Sequence, residues 1–360
     1  MSTARLLLAL VLVLHAPAGT AWAADDAPIG RGKTGDGSTA FTGLGSAPEA
    51  NLFHGAATMS VPIQVPPGRG PITPRLALSY SSSGRMSPYG FGWDLALGTI
   101  QRSTRRGVPT CGDVGDLSTF VIHLPGSVSE CRIELDPNDA SIVTNTQCEP
   151  LVRQTAIDIQ YDSAVNSWTV RDVSGLEYSF GTVRSARVGS EVEDLYSANG
   201  TSCTYTFGWG LSRIEDLNGN HLDVVYGDPA APEVAPESGV LYPARVEYGG
   251  NLSTGLAHLF QVEFDWSIQG PSEVPWVNAA GGFEAKIDRL LAAIRVISYD
   301  AVPYLRKYEL SYAHEAGMHP GAPPLLAQVA LFGRDGLPLI GEGGSASTTL
   351  IYQDDAGSSF

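Results

Sequence analysis

The sequence predicts an all-β fold in which many consecutive antiparallel hairpins form an extended, curved sheet or shell with little helix. Short apolar runs alternate with turn residues along most of the 360-residue chain. Gly (41 residues) and Pro (24 residues) are abundant and only 17% of the residues are charged, which favours turns over charged helices. The hydrophobic content of 43% is sufficient for a buried core.

The first 23 residues have the pattern of a secretory signal peptide. Arg5 gives a positive n-region, residues 6–14 are an apolar run too short to span a bilayer, and Ala21-Trp22-Ala23 offers a cleavage site. We therefore expect a secreted, extracellular protein with no stable membrane anchor after cleavage. Residues 24–50 are rich in Gly, Ser, Asp and Thr and predict a flexible leader before a β domain that spans residues 51–360.

The stretch 55–102 organises the predicted domain as a hairpin around a stiff turn. Two alternating runs each place their apolar residues on one face of a strand, namely Met59, Val61, Ile63 and Val65, then Ile72, Pro74, Leu76, Leu78 and Tyr80. Pro66, Pro67 and Gly68 interrupt the alternation between them. Because Pro62 and Pro74 donate no ladder hydrogen bond, these strands are expected at an edge or paired on one side only.

Aromatic rings alternate with glycines directly after this hairpin, at residues 89–93. Gly90 and Gly92 allow close approach of backbones, and Trp93 supplies a large apolar surface for burial.

These motifs carry a family resemblance. The run V-P-I-Q-V-P-P-G-R-G-P-I-T-P-R-L-A-L-S-Y-S-S, followed by G-F-G-W-D-L, resembles the opening of the SpvB family, the N-terminal domain of Salmonella-type plasmid virulence B proteins. The same domain opens the B components of insecticidal toxin complexes and some proteins with Rhs/YD repeats. Family members normally continue into further modules, so the resemblance implies that this chain is the N-terminal part of a larger toxin-related architecture.

Later segments repeat a strand–turn–strand pattern. Asn218-Gly219 is the strongest turn signal, because both residues tolerate the positive φ of a two-residue type I′ turn. The form D-x-N-G-N followed by an alternating run that ends in Tyr is also typical of the family, so the resemblance extends from about Asn51 to the C-terminus. Single strands are predicted at 117–124, 157–161 and 348–352. Strand–turn–strand units are predicted at 168–181 and 209–226, with looser echoes of this pattern at 241–250 and 325–339.

One segment has a competing pattern. Its apolar residues follow a helical spacing at Phe283, Ile287, Leu290, Leu291 and Ile294. The resemblance implies a strand over about 290–298, so we expect at most a short helix.

Four cysteines predict two disulfides in an exported chain. They are Cys111, Cys131, Cys148 and Cys203, and the sequence leaves all three pairings open. Zinc binding is the weaker interpretation, because the chain contains no C-x-x-C pair.

No catalytic, cofactor-binding or metal site is predicted. Asp216, Asn218, Asn220 and Asp223 could ligate calcium, but a hairpin turn explains them better, since the glycine is not at the sixth position of an EF-hand loop. His314 and His319 are five residues apart and do not match a zinc-protease helix.

The resemblance implies a structural or interaction protein without catalysis of its own, which contributes to a β-shell that encloses or delivers a toxic polypeptide. Its expected partners are other toxin-complex or Rhs-type protein modules. The formal net charge of −16 disfavours nucleic acid as a partner. The alternatives are an adhesive surface module or a secreted enzyme, either an ADP-ribosyltransferase with Glu191 and Glu193 as its acid pair, or a carbohydrate-active hydrolase with sugar-binding rings such as Trp168, Trp209 and Trp266.

Overall fold

A computed structural model describes residues 43–51, 55–104, 107–108, 119–125, 130–135, 143–149, 158–190, 205–228, 230, 234–268, 276–299, 304–313, 323–340 and 346–352. Within these ranges the chain is all β, apart from one turn of 3₁₀ helix at Arg184–Ala186. The predicted all-β class is therefore confirmed. No helix in these ranges has both the length and the apolar character to cross a membrane.

A four-stranded antiparallel sheet contains the opening hairpin. Its order is β1-β2-β3-β6, and β4 and β5 form a separate two-stranded ribbon. These strands are β1 (Glu49–Asn51), β2 (Ala56–Pro62), β3 (Ala77–Ser81), β4 (Met86–Ser87), β5 (Gly90–Phe91) and β6 (Trp93–Leu95).

A 16-stranded antiparallel sheet forms the body of the protein. Its first strands are β7 (Thr99–Arg102), β8 (Thr119–His123), β9 (Glu130–Leu135), β10 (Val143–Glu149), β11 (Asp158–Asp162), β12 (Ser167–Arg171), β13 (Glu177–Phe180) and β14 (Arg187–Ser190). The remainder are β15 (Tyr205–Glu215), β16 (Asn220–Tyr226), β17 (Pro243–Asn251), β18 (Phe260–Ile268), β21 (Arg289–Ser298), β22 (Arg306–Ala313), β23 (Leu325–Gly333) and β24 (Ser347–Thr349). A two-stranded ribbon of β19 (Trp276–Asn278) and β20 (Ala285–Ile287) lies between β18 and β21 in the sequence.

Strand β15 is the branch point of the large sheet. Its N-terminal half pairs with β7 and β14, and its C-terminal half pairs with β13 and β16. The strand order then runs β16-β17-β18-β21-β22-β23-β24 without a further branch. One 11-residue strand thus joins two pairing neighbourhoods into a continuous sheet.

The core is organised around aromatic side chains at this branch point. Trp168 and Trp209 are fully buried with ring centroids 5.6 Å apart in an edge-to-face arrangement, and Phe120 packs 4.7 Å from Trp168. Edge-to-face rings add specific attraction to the large apolar area that they bury. The suggestion that Trp168 and Trp209 could bind sugar is therefore wrong, because neither ring reaches the surface.

The opening hairpin has the predicted faces but not the predicted edge position. All predicted inward residues of its two runs are buried except Val65, which is partly buried. Strand β2 pairs with β1 and β3, so it is not an edge strand. Pro62 is tolerated because β1 pairs only with Ala56–Thr58, which leaves Pro62 a partner on the β3 side alone, and Pro74 precedes β3.

The connection between β2 and β3 attaches the small sheet to the large one. The hydroxyl of Tyr248 donates to the carbonyl of Pro66 (2.9 Å), and the amide of Gln64 donates to the hydroxyl of Tyr308 (2.9 Å). A Cβ at Gly68 would lie 1.9 Å from the carbonyl oxygen of Ile72, so this predicted turn glycine permits a close backbone approach.

The glycine–aromatic motif behaves as predicted. Gly90 and Gly92 have φ values of 105° and 79°, and a Cβ at Gly92 would lie 2.7 Å from the Ser81 carbonyl oxygen. The motif thereby brings Trp93 into the core, where its indole N–H donates to the hydroxyl of Tyr352 (3.0 Å).

The structure changes two expectations, the end of the leader and the helical alternative for residues 283–294. The leader ends before residue 50, because Leu44 is buried and Glu49–Asn51 form β1. Buried Leu44 gains apolar stabilisation that a flexible leader would lack. The helical alternative for 283–294 is also wrong, since β20 and β21 occupy it, and β21 agrees with the strand that the resemblance implied. Residues 1–42 lie outside the described residues.

The register of β9 and β10 favours one of the three cysteine pairings. Cys131 lies directly opposite Cys148 in this antiparallel pair. Such positions have Cα atoms about 4.5–5.5 Å apart, within the range that a disulfide spans. Cys111 and Cys203 lie outside the described residues.

We therefore expect a Cys131–Cys148 disulfide in the protein under oxidising conditions, which leaves Cys111 to pair with Cys203. Peptide mapping by mass spectrometry, without reduction and after blocking of free thiols, should find the Cys131 and Cys148 peptides cross-linked. A cross-link from either residue to Cys111 or Cys203, or four alkylated thiols, would contradict this pairing.

Candidate functional site: a histidine pair beside Asp223

The strands β15 and β16 are joined by a turn that Asp216 organises. The amide of Gly219 donates to the carbonyl of Asp216 (2.9 Å), and the Asp216 carboxylate accepts from the amides of Asn218 and Asn220 (both 2.9 Å). Burial raises the pKa of Asp216, but these hydrogen bonds outweigh it and hold the pKa of this carboxyl below its ordinary value. The charged carboxylate is therefore part of the turn.

The predicted type I′ turn is wrong in its geometry. Gly219 has a φ of 79°, whereas Asn166 is the one non-glycine residue with positive φ in the described part of the chain, so Asn218 is not left-handed. The loop has three residues, Leu217 to Gly219, and ends on a left-handed glycine. The Asp216 carboxylate explains the difference, because it accepts the Asn218 amide and stabilises this longer loop.

A second loop, residues 251–259, lies against this turn and positions His258. The Asn251 side chain donates to the carbonyl of Asn218 (3.0 Å) and to the side-chain oxygen of Asn220 (2.9 Å). The Leu252 amide donates to the carbonyl of Gly219 (2.8 Å). These bonds fix the start of the loop that carries His258 from β17 towards β18.

Three potential ligand side chains meet beneath this loop. Strand alternation places Leu222 and Val224 in the core and His221 and Asp223 on the opposite face. The Asp223 Oδ2 atom lies 3.6 Å from His221 Nε2 and 3.0 Å from His258 Nε2. The two imidazole centroids are 4.5 Å apart, and His221 is only 5% exposed.

Arg213 holds the carboxylate in place from the neighbouring strand. Its Nε and Nη2 atoms donate to Oδ1 (2.6 Å) and Oδ2 (3.1 Å) of Asp223, its direct cross-strand partner. Desolvation raises the pKa of Asp223, but hydrogen bonds from His258 and Arg213 outweigh it and lower this pKa, so the group is a carboxylate.

Close packing surrounds the histidine pair. A Cβ at Gly250 would lie 2.7 Å from His221 Cε1 and 3.0 Å from His258 Nδ1, so a side chain at position 250 would displace both rings. Burial lowers the pKa of His221 and outweighs the opposing effect of the Asp223 carboxylate, and this favours neutral imidazole. Neither Nδ1 atom of the pair has a hydrogen-bond partner.

The three side chains could hold a metal ion, but they differ from the four considered in the sequence. In the part of the chain that the structure describes, His221, Asp223 and His258 form the one group of this kind, with donor atoms within 4.8 Å of one another. Asp216 instead belongs to the turn and Asp223 lies with the histidines, so the possible calcium ligands, which the sequence explains better as a hairpin turn, do not converge. Glu191, Glu193, His314 and His319 lie outside the described residues.

Sequence reasoning did not find this site. The available signal was the alternation His221-x-Asp223, which puts both side chains on one strand face. His258 lies 35 residues from Asp223 and at no motif spacing, because a loop rather than a strand register brings it back.

Comparison with known proteins identifies the family to which the chain belongs. The model of the family described as the Salmonella virulence plasmid 65kDa B protein, SpvB, matches residues 51–249, more than half of the chain. The chain is 25% identical over 273 residues to the mono(ADP-ribosyl)transferase SpvB of Salmonella choleraesuis, and 24% identical over the same length to that of Salmonella typhimurium. These matches cover 65% of this chain and 44% of each relative, so the chain spans less than half of those proteins.

Solved structures share the fold. The N-terminal domain of effector protein SpvB from Salmonella typhimurium matches with a TM-score of 0.53 and 20% identity, over 81% of this chain and 99% of that domain. The TcdB2-TccC3 crystal structure matches with a TM-score of 0.56 and 17% identity, over 90% of this chain and 17% of that one. The Photorhabdus luminescens Tc holotoxin pore gives a TM-score of 0.54 and 18% identity, over 89% of this chain and 16% of that one.

Proposed function

The chain belongs to the SpvB family, and from this membership we propose that it is an exported structural and interaction component of a toxin-complex or virulence protein. It contributes β-sheet to a shell that encloses or delivers a toxic polypeptide. It has no catalysis of its own, and its partners are other protein modules of the same assembly.

The observation that carries this proposal is the continuous 16-stranded sheet with chemically different faces. One face supplies the apolar core. The other bears cross-strand ion pairs, including Arg213–Asp223, Arg295–Glu263 (2.8 Å) and Arg295–Asp265 (2.6 Å). Such pairs add little stability individually, but they keep a broad face polar. A wall between a water-filled interior and its surroundings needs this breadth and polarity.

The comparisons support the toxin-complex assignment at the level of fold. The same fold forms the N-terminal domain of one effector and a segment of the much longer TcdB2-TccC3 chain. A fold used in both contexts suits a module that encloses or presents another polypeptide. The transferase activity named for the curated relatives is not carried over, since the match leaves more than half of those proteins uncovered.

The shell function predicts a complex. The chain, produced together with the polypeptides encoded beside it, should co-purify with at least one of them and protect that polypeptide from added protease. Omission of the chain should restore cleavage. A monomer that neither binds nor protects any of these polypeptides would overturn the proposal.

The absence of catalysis predicts a separate result. Nicotinamide release from NAD by the purified chain should equal that of buffer, and the double variant Glu191→Gln, Glu193→Gln should behave identically. Release that the wild type shows and the double variant loses would assign the transferase alternative instead.

A further inference from the structure

We propose that His221, His258 and Asp223 form a binding site for a divalent transition-metal ion of the zinc class. The site would tie the loop 251–259 to the strand pair β15–β16. It does not depend on the shell function proposed above.

The spacing of the donor atoms fits one ion. Zinc bonds to imidazole nitrogen and carboxylate oxygen of about 2.0–2.2 Å place two ligands of a tetrahedral ion about 3.3–3.5 Å apart. The distances from Asp223 Oδ2 to His258 Nε2 (3.0 Å) and to His221 Nε2 (3.6 Å) lie on either side of that value. All three donor atoms lie within 4.8 Å of one another, as the ligands of a single ion must.

The chemistry of the donor set selects the metal. Two imidazoles and one carboxylate suit zinc, cobalt, nickel or copper, whereas calcium and magnesium prefer a shell of oxygen ligands. Three protein ligands leave a fourth tetrahedral position for water.

Burial provides an independent reason. His221 is 5% exposed, and its Nε2 atom lies 3.6 Å from Oδ2 of Asp223, which is too long for a hydrogen bond. Burying two imidazoles 4.5 Å apart beside a carboxylate costs desolvation free energy that a core of apolar side chains would not incur. A cation bound by both imidazoles would offset this cost, and Gly250 leaves the space that both rings occupy.

Arg213 is compatible with an ion at this place. Its Nε atom donates to Oδ1 of Asp223 (2.6 Å) and its Nη2 atom donates to Oδ2 (3.1 Å), the oxygen directed to both histidines. A group that hydrogen-bonds a ligating carboxylate and orients it is a usual second layer of a metal site. Arg213 is thus a positioning residue.

Metal binding is tested with the oxidised full chain after removal of metals by chelator. Titration with Co²⁺ should give one ion per chain and the visible absorption of tetrahedral cobalt with nitrogen and oxygen ligands, without the near-ultraviolet band of a cobalt–thiolate bond. Added Zn²⁺ should displace the cobalt and raise the melting temperature, and EDTA should reverse that rise. Absence of one-to-one binding by the wild type would overturn the proposal outright.

Matched variants locate the ion. His258→Gln and Asp223→Asn should abolish the cobalt spectrum, while His123→Gln, which changes an exposed histidine on β8, should retain it. Arg213→Lys should keep the spectrum but weaken Zn²⁺ binding about 10–100-fold, the usual effect of losing a positioning partner. Circular dichroism in EDTA identifies any variant that fails to fold. Binding that persists in folded His258→Gln and Asp223→Asn would show that the ion lies elsewhere, and the cluster would then be a hydrogen-bonded network.

Discussion

Replacement of Trp209 by alanine is expected to lower the free energy of unfolding by about 3–5 kcal/mol, the usual cost of deleting a buried tryptophan. Trp209 is fully buried at the branch point of the large sheet, opposite Ile100 of β7 and Arg187 of β14. Its indole N–H donates to the backbone carbonyl of Asn166 (3.0 Å). Alanine would therefore leave a cavity and remove the ring that joins three strands.

Chemical denaturation monitored by far-ultraviolet circular dichroism measures this effect. Trp276→Ala is the matched control, because Trp276 is only partly buried in the separate ribbon of β19 and β20, and we expect it to cost well under half as much. A Trp209→Ala protein as stable as the wild type would show that the ring is not part of the core. The same variant distinguishes a core role from sugar binding, which would change ligand affinity without changing stability.

Much of the fold could be predicted because strand alternation is a local property. Leu78 and Tyr80 of the first hairpin, and Leu222 and Val224 of β16, are buried as their spacing predicted. An apolar residue at every second position fixes the inward face without knowledge of any partner strand.

The pairing order could not be predicted from the same pattern. Strand β15 pairs with four other strands, and its alternation does not state which of them lies beside each half. The edge assignment of β2 failed for a related reason. Pro62 excludes a hydrogen bond at one position, whereas β1 pairs with the opposite end of the strand, at Ala56–Thr58.

The candidate site depends on contacts that are still less local. His258 meets His221 because Asn251 ties one loop to a neighbouring turn, and Gly250 leaves space for both rings. Neither the Asn251 contact nor the space at Gly250 follows from a residue spacing that can be recognised in the sequence. The turn itself was ambiguous, since Asn218-Gly219 suits two loop lengths and the carboxylate of Asp216 selects between them.

Gly219→Pro is expected to destabilise the protein by at least about 3 kcal/mol, the sum of strain at a left-handed position and a lost buried hydrogen bond. The φ of Gly219 is 79°, which the proline ring does not allow. Its amide also donates to the Asp216 carbonyl (2.9 Å), and proline has no such donor. A Cβ at this position would lie 2.3 Å from Ser253 Oγ, so the adjacent loop would have to move.

Three variants compared by thermal and chemical denaturation in EDTA separate the turn from any bound ion. We expect Gly219→Pro to be the least stable and Gly219→Ala to be intermediate, since alanine keeps the amide but retains the strain and the contact with Ser253. Asp223→Asn should cost least, because it removes charge from a partly exposed pair with Arg213 and leaves the backbone unchanged. Calcium added to the wild type should not change its melting temperature. Stabilisation by calcium that Asp223→Asn abolishes would identify this turn as a calcium site, and equal stability of Gly219→Pro and the wild type would refute the left-handed geometry at Gly219.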